Sequence, residues 1–169
     1  ASWRLNENFS KIGLKLSRKN SLPYILVDTC VFIRLRSDYK RTLDCILVTI
    51  DVIAVTKKIL NEYKGRAYAS TLILQSFLED LRSGGKLKHF KSGFISSALR
   101  RHRRARRINY PAHSRDKKWI DVALAISARY IISTNRHLLE LPPNRCNADI
   151  IEAIDPQQYN EVRCPNETN

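Results

Sequence analysis

The chain has 169 residues, 43% of them hydrophobic, with 30 Lys and Arg against 16 Asp and Glu and a net charge of +14. That is the length of one domain with enough apolar residues for a real core, which excludes a disordered chain. No apolar run is long enough to span a bilayer, and residues 1–10 carry no apolar signal-peptide core. The expectation is a soluble, cytoplasmic protein with no membrane partner. The basic excess favours polyanions, nucleic acid first, because each neutralised phosphate releases a counterion. A charge serving solubility alone is the blander account.

Residues 1–22 are polar and basic, an extension or a short packing helix ahead of the domain. Pro23 opens the apolar run Tyr24-Ile-Leu-Val27, which ends abruptly at Asp28 and predicts a buried parallel strand. Phe32, Ile33 and Leu35 follow in the next turn. Leu43, Ile46, Leu47 and Ile50 have the spacing of a helix face. Ile53-Ala-Val55 is a second strand, and Thr56 caps a helix whose apolar side is Ile59, Leu60 and Tyr63. Gly65 ends or interrupts that helix. A further helical pattern runs from Leu72 through Leu81 until Gly84-Gly85 stops it.

Leu87 to Arg107 has no clear period and ends in a dense basic run. Trp119, Ile120, Ala123, Leu124 and Ser127 mark a helix, and Tyr130-Ile-Ile-Ser133 a strand. Leu138-Leu139 begin a short turn or helix. Ile150–Ile154 is the last strand, closed by Asp155-Pro156. Strands alternating with helices predict a parallel sheet covered on both faces, with sites beyond the strands' C-terminal ends. Cys30 and Cys45 read as small core residues. Cys146 and Cys164 lie in C-terminal loops and could pair, although an intracellular setting keeps thiols reduced unless the source is thermophilic.

Four acids stand out. Asp28 follows a strand, where a turn or cap residue is the bland account. Glu62 lies in a helix, where a solvated surface residue is usual. Asp116 precedes the Trp119 helix as an N-cap would, and Asp121 lies inside that helix. Together they suit a hard divalent cation, Mg²⁺ or Mn²⁺, which prefers carboxylate oxygens. Such a cation polarises a phosphodiester and generates hydroxide at neutral pH.

The segments Tyr24-Ile-Leu-Val-Asp-Thr-Cys-Val-Phe32, Ile53-Ala-Val-Thr-Lys-Lys-Ile-Leu-Asn-Glu-Tyr63 and Asp116-Lys-Lys-Trp-Ile-Asp-Val-Ala-Leu-Ala125 resemble the three acidic motifs of PIN-domain ribonucleases of the stand-alone prokaryotic and archaeal type. Ala128 to Leu139 resembles the segment with the family's fourth polar position, and Ile150 to Tyr159 its closing strand. The resemblance covers Pro23 to Tyr159. It implies a three-layer α/β/α sandwich with a central parallel sheet, and a Mg²⁺- or Mn²⁺-dependent endoribonuclease. It makes Asp28, Glu62 and Asp116 the metal-binding acids, with Asp121 at a more variable position. Asn135 stands where many relatives have a fourth Asp, and still offers a carbonyl oxygen without charge. Cys30 replaces a more usual small polar residue. The implied organisation is an extension over 1–22, the nuclease domain over 23–159 with an Arg-rich insertion about 98–115, and a tail over 160–169.

Arg100, Arg101, Arg103, Arg104, Arg106 and Arg107 form the basic run, with His102 among them. Guanidinium forks suit RNA phosphates, with little base readout, whereas a solvated charged loop is the plain alternative. Tyr110 either stacks a base or packs. His89, His102, His113 and His137 are not needed as bases beside a metal-bound hydroxide, although His113 lies near Asp116. The expected roles are the toxin of a toxin–antitoxin pair, with an antitoxin partner, or an RNA-processing enzyme, either of them able to form a homodimer. The alternative is a catalytically weakened RNA-binding module or ribonucleoprotein component, which Asn135 favours.

Overall fold

The computed structural model describes residues 23–66, 71–105, 107–146 and 149–165. The basic extension over 1–22 and Arg106 lie outside the described residues. Tyr24–Val27 is strand β1, with Ile25, Leu26 and Val27 fully buried. A one-turn helix follows at Thr29–Phe32 (α1), then α2 at Lys40–Val48 and β2 at Val52–Val55. Thr56 caps α3, Lys57–Arg66, as its sequence predicts: its hydroxyl accepts from the Ile59 N–H at 3.3 Å. Helix α4, Thr71–Ser83, ends at Gly84-Gly85, where Gly85 takes a φ of +71° that favours glycine.

Strand β3, Leu87–His89, and helix α5, Ser92–Ala105, occupy the stretch whose period was unclear. A 3₁₀ turn at Ser114–Asp116 leads into α6, Lys117–Ile126, then β4 at Tyr130–Ile132 and α7 at Arg136–Leu139. The chain closes with β5, Asn144–Cys146, β6, Asp149–Ile154, and α8, Pro156–Arg163.

The protein is α/β. Its six-stranded sheet has the order β3-β2-β1-β4-β6-β5. The first five strands are parallel and β5 runs antiparallel to β6 at the edge, so the sheet is mixed rather than wholly parallel. Both strands absent from the sequence reading, β3 and β5, are three-residue edge strands with polar residues, too short for a period-2 signal. From β1 the chain steps outward through β2 to β3, then returns to β1's other side with β4. The direction of winding therefore reverses between β1 and β4, the position at which sheets of this kind place their binding sites. The register pairs Val27 with Ile132, so Asp28 and Ser133 emerge side by side.

The α2 face is rotated from the one its spacing predicted. Thr42, Cys45 and Ile46 are buried, whereas Leu47 and Ile50 are about half exposed. The reason is α8, which packs on α2 and was read only as the end of the last strand. Asp155 and Gln158 form a reciprocal capping box there, with Pro156 at the first helical position. The segment read as a tail from residue 160 thus begins inside a helix.

That helix brings Cys164 to Cys45, and these two form a disulfide. Cys146, with which Cys164 could have paired, lies on the far edge strand instead. Beside the disulfide, fully buried Asp51 accepts from Arg163 Nε at 2.9 Å and Nη2 at 3.0 Å, and from the Tyr159 hydroxyl at 2.6 Å. Burial, then the neighbouring Asp51, pushes the Tyr159 pKa up, so the phenol stays a donor. Among the described residues, no helix is long and apolar enough to cross a membrane.

Removing Arg163 leaves Asp51 as a buried, under-compensated charge. We expect Arg163→Ala to destabilise the fold by about 3–5 kcal/mol, measured by urea denaturation. Adding Asp51→Asn to that variant is expected to recover much of the loss. A surface-like change below about 1 kcal/mol would contradict this.

Candidate functional site

Asp28 opens at the C-terminal end of β1 because β1 stops pairing there and α1 begins. Its backbone N–H still donates to Ile132 O of β4 at 2.9 Å. Its side chain is 7% exposed. Oδ1 accepts from the Thr29 N–H at 2.7 Å, and Oδ2 from the Ser133 hydroxyl at 2.6 Å. Burial pushes the Asp28 pKa up; the hydrogen bonds from Ser133 and Thr29 oppose that rise and Glu62 adds to it.

Glu62 comes from α3, one residue before Tyr63. The Tyr63 hydroxyl donates to Val27 O, and its ring stacks on Phe32 with centroids 3.9 Å apart. Tyr63 therefore fixes α3 against the end of β1, which carries Glu62 to the Asp28 side. The Thr29 hydroxyl donates to Glu62 Oε1 at 2.7 Å, and Lys118 Nζ pairs with Oε2. Burial pushes the Glu62 pKa up, but hydrogen bonds from Lys118 and Thr29 and the Lys118 charge outweigh it and hold the carboxyl below its ordinary value.

Asp116 sits at the start of α6, yet its side chain makes no capping hydrogen bond. Its Oδ2 accepts from Asn135 Nδ2 at 3.1 Å. Asn135 in turn donates its backbone N–H to Ser133 Oγ at 2.9 Å. The three predicted acids are thus joined in one hydrogen-bonded chain running Glu62, Thr29, Asp28, Ser133, Asn135, Asp116. Sequence reasoning missed Tyr63 and Lys118 as site residues. Lys118 has a signal only in hindsight, as one of three basic residues, Arg115, Lys117 and Lys118, that flank Asp116.

Two expectations change. Asn135 Oδ1 caps α7 by accepting from the His137 N–H at 3.0 Å. The residue positions Asp116 and starts a helix, rather than holding out its carbonyl. Asp121 stands apart: its partners are the Tyr110 hydroxyl and, at 4.0 Å, Arg103. Among the described residues, no hydrogen bond or ion pair joins it to Asp28, Glu62 or Asp116. Tyr110 is thereby a packing and hydrogen-bonding residue on α6.

Cys30, expected in the core, is half-buried at its margin, with Sγ 3.2 Å from the Thr134 hydroxyl. His113 and His137, both exposed, flank the Asp116–Asn135 corner with ring centroids 5.8 Å apart.

The basic run is helical. Arg100, Arg101, Arg103 and Arg104 are exposed on the last turns of α5, and Arg107 is exposed just beyond. Ile95, Ala98 and Leu99 bury the helix's other face, and α5 packs on α6. Exposed guanidinium groups therefore line the helix next to the one that carries Lys118.

The oxygen-rich donor set suits a hard divalent cation. Among the described residues, however, no three His, Cys, Asp or Glu side chains stand close enough together to hold one as they are placed. The Thr29 hydroxyl and the Asn135 amide lie between the acids, and Lys118 occupies Glu62.

Comparison with known proteins assigns no relative: no protein-family model, curated protein or solved structure matches the chain.

The raised Asp28 pKa has a consequence for stability. Between the unfolded and folded pKa values the native state holds more protons, so stability falls as pH rises through that window. Asp28→Asn keeps an acceptor for Thr29 and removes the buried charge. We expect it to raise Tm at pH 7, roughly 2–4 °C for each kcal/mol in a chain of this size, and to flatten Tm between mildly acidic and neutral pH. A lower Tm at pH 7, measured by circular dichroism, would contradict it.

Proposed function

We propose that this protein is a metal-dependent endoribonuclease of the PIN type, with a three-layer α/β/α arrangement. One observation carries the reading: three acids from distant segments, Asp28, Glu62 and Asp116, are joined through Thr29, Ser133 and Asn135 in one hydrogen-bonded chain at the point where the winding of the sheet reverses. The right-handed crossover rule supports the layering, since opposite winding on the two sides of β1 sends the connecting helices to opposite faces.

Asp28, Glu62 and Asp116 would hold the Mg²⁺ or Mn²⁺ ion. When bound, the ion polarises the phosphodiester and lowers the pKa of its water. The chain's own part is electrostatic and positional. Ser133 and Thr29 hold the Asp28 carboxylate in one orientation. Asn135 does the same for Asp116. Lys118, which pairs with Glu62, would have to give up that contact for a cation to be held there, and its ammonium would then be free for a phosphate oxygen. The arginines of α5 draw the RNA backbone towards α6.

A second reading is a binding module without cleavage. Lys118 favours it, because an ammonium on Glu62 neutralises one of the three acids. The Cys45–Cys164 disulfide bears on compartment: such bonds persist where thiols are oxidised, or in hyperthermophiles, and are rare in other cytoplasms. Neither the toxin role nor an RNA-processing role is favoured by any contact in the structure.

The test is incubation of the protein with labelled single-stranded RNA in Mn²⁺, in Mg²⁺ and in EDTA, beside Asp28→Asn. We expect cleavage with either metal, none in EDTA, and a loss of at least about 100-fold in the variant, the scale of a removed catalytic electrostatic group. Binding without cleavage in every condition would establish the module instead. Changing Arg100, Arg101, Arg103 and Arg104 to Gln is expected to flatten the slope of log affinity against log salt by up to about 3, near 0.7 for each lost phosphate contact on a single strand. An unchanged slope would remove α5 from the RNA interface.

A further inference from the structure

A cleft lies beside the acidic site, between α2 and the start of α8. Its volume is about 370 Å³, and its walls include Tyr39, Arg41, Thr42, Thr134, Pro156 and Asn160, with the carboxylates of Asp38 and Asp155 also on its lining. It joins the acidic site through Thr134, whose hydroxyl meets Cys30 two residues after Asp28. The size falls at the lower end of ligand pockets, about 300–1,000 Å³.

Two of its lining residues are anomalous. Thr42 is 1% exposed and Asn160 9%, and Thr42 Oγ1 and Asn160 Oδ1 are buried without a hydrogen-bond partner. A helical threonine ordinarily returns its hydroxyl to the carbonyl four residues back. Thr49 does so at the end of the same helix, donating to Cys45 O at 2.8 Å. Thr42 does not. Buried polar atoms left unmatched are a cost that native proteins seldom carry without a ligand or an ordered water to satisfy them.

We infer that this cleft receives one unpaired nucleobase of the RNA strand that crosses the acidic site. The inference rests on the ribonuclease reading and deepens it. The Asn160 carbonyl oxygen needs an N–H, and the Thr42 hydroxyl serves as donor or acceptor; a base edge carries both kinds of group. Half-buried Tyr39 and buried Pro156 give the base flat apolar neighbours. Exposed Arg41 at the rim meets the attached phosphate. The cleft thus confers a preference for one base beside the scissile bond, in a protein whose α5 arginines read only the backbone.

The test titrates the full chain by calorimetry with AMP, GMP, CMP and UMP and with inorganic phosphate, beside Thr42→Val, Arg41→Gln and Asp28→Asn. At least one nucleotide should bind about tenfold or more tighter than phosphate, the scale of one buried hydrogen bond. Thr42→Val, which keeps the side chain's shape, should bring it down to the phosphate level without lowering Tm. Arg41→Gln should weaken every nucleotide, and Asp28→Asn should leave the preference in place. Four nucleotides that bind no better than phosphate would overturn the inference. So would a Thr42→Val protein that binds as the parent does, the result expected if a trapped water satisfies these atoms. Because binding is read without catalysis, the two proposals fail separately. A nucleotide held through Thr42 by a protein that cleaves no RNA leaves the base pocket standing and the nuclease reading lost.

Discussion

Asp28 is buried where β1 and β4 end side by side, and an ionised carboxylate there has to be matched by donors or carry a proton. The match comes from a backbone N–H at Thr29 and a hydroxyl at Ser133, one from each side of the strand junction. Those two donors also orient the rest of the site. Thr29 passes its hydroxyl proton towards Glu62, and Ser133 receives the Asn135 N–H that steadies Asp116. Removing the matching at Asp28 therefore disturbs every other acid in the chain of hydrogen bonds.

The fold exists to hold that junction. The β1–β4 register sets Asp28 next to Ser133, and the stacked Phe32–Tyr63 pair locks α3 to the end of β1. On the opposite flank, the Cys45–Cys164 bond ties the end of α8 to α2, and the Asp51–Arg163 pair ties α8 to the residue just before β2. The two flanks answer different needs. Around Asp28, burial raises the carboxyl's pKa, so its ionised form costs stability. Around Asp51, a buried charge is fully paired and closes the end of the chain onto the core.

Much of this was legible in the sequence where the signal was long or chemically distinctive. The apolar runs ending at Asp28 and Ser133 gave their strands, and Thr56 gave its helix start. Asp28 and Asp116 stood out because each sits at the end of an element, whereas Glu62, inside α3, was named only through the resemblance of its segment. What was illegible depended on distant partners. Leu47 and Ile50 fit a helix face, but α8 covers the face of Thr42 and Cys45 instead. Cys164 could be matched with Cys45 only once α8 was known to fold back. Nothing local distinguishes Lys118 from its basic neighbours, because its role follows from Glu62, which lies 56 positions away in the chain. Asn135 looked like a weakened ligand, and became a cap and a positioning group once α7 was seen to start there.

The central claim is that Asp28, Glu62 and Asp116 act as one cation-holding unit despite the groups that separate them. The most direct measurement is a Mg²⁺ titration of protein carrying ¹³C-labelled Asp and Glu carboxyls, followed by NMR. The proposed site predicts that these three resonances shift together with one midpoint, while Asp121 and Asp51 stay in place, and that the Lys118 ammonium resonance moves in parallel as it leaves Glu62. Independent midpoints, or shifts confined to exposed surface acids, would contradict a shared site.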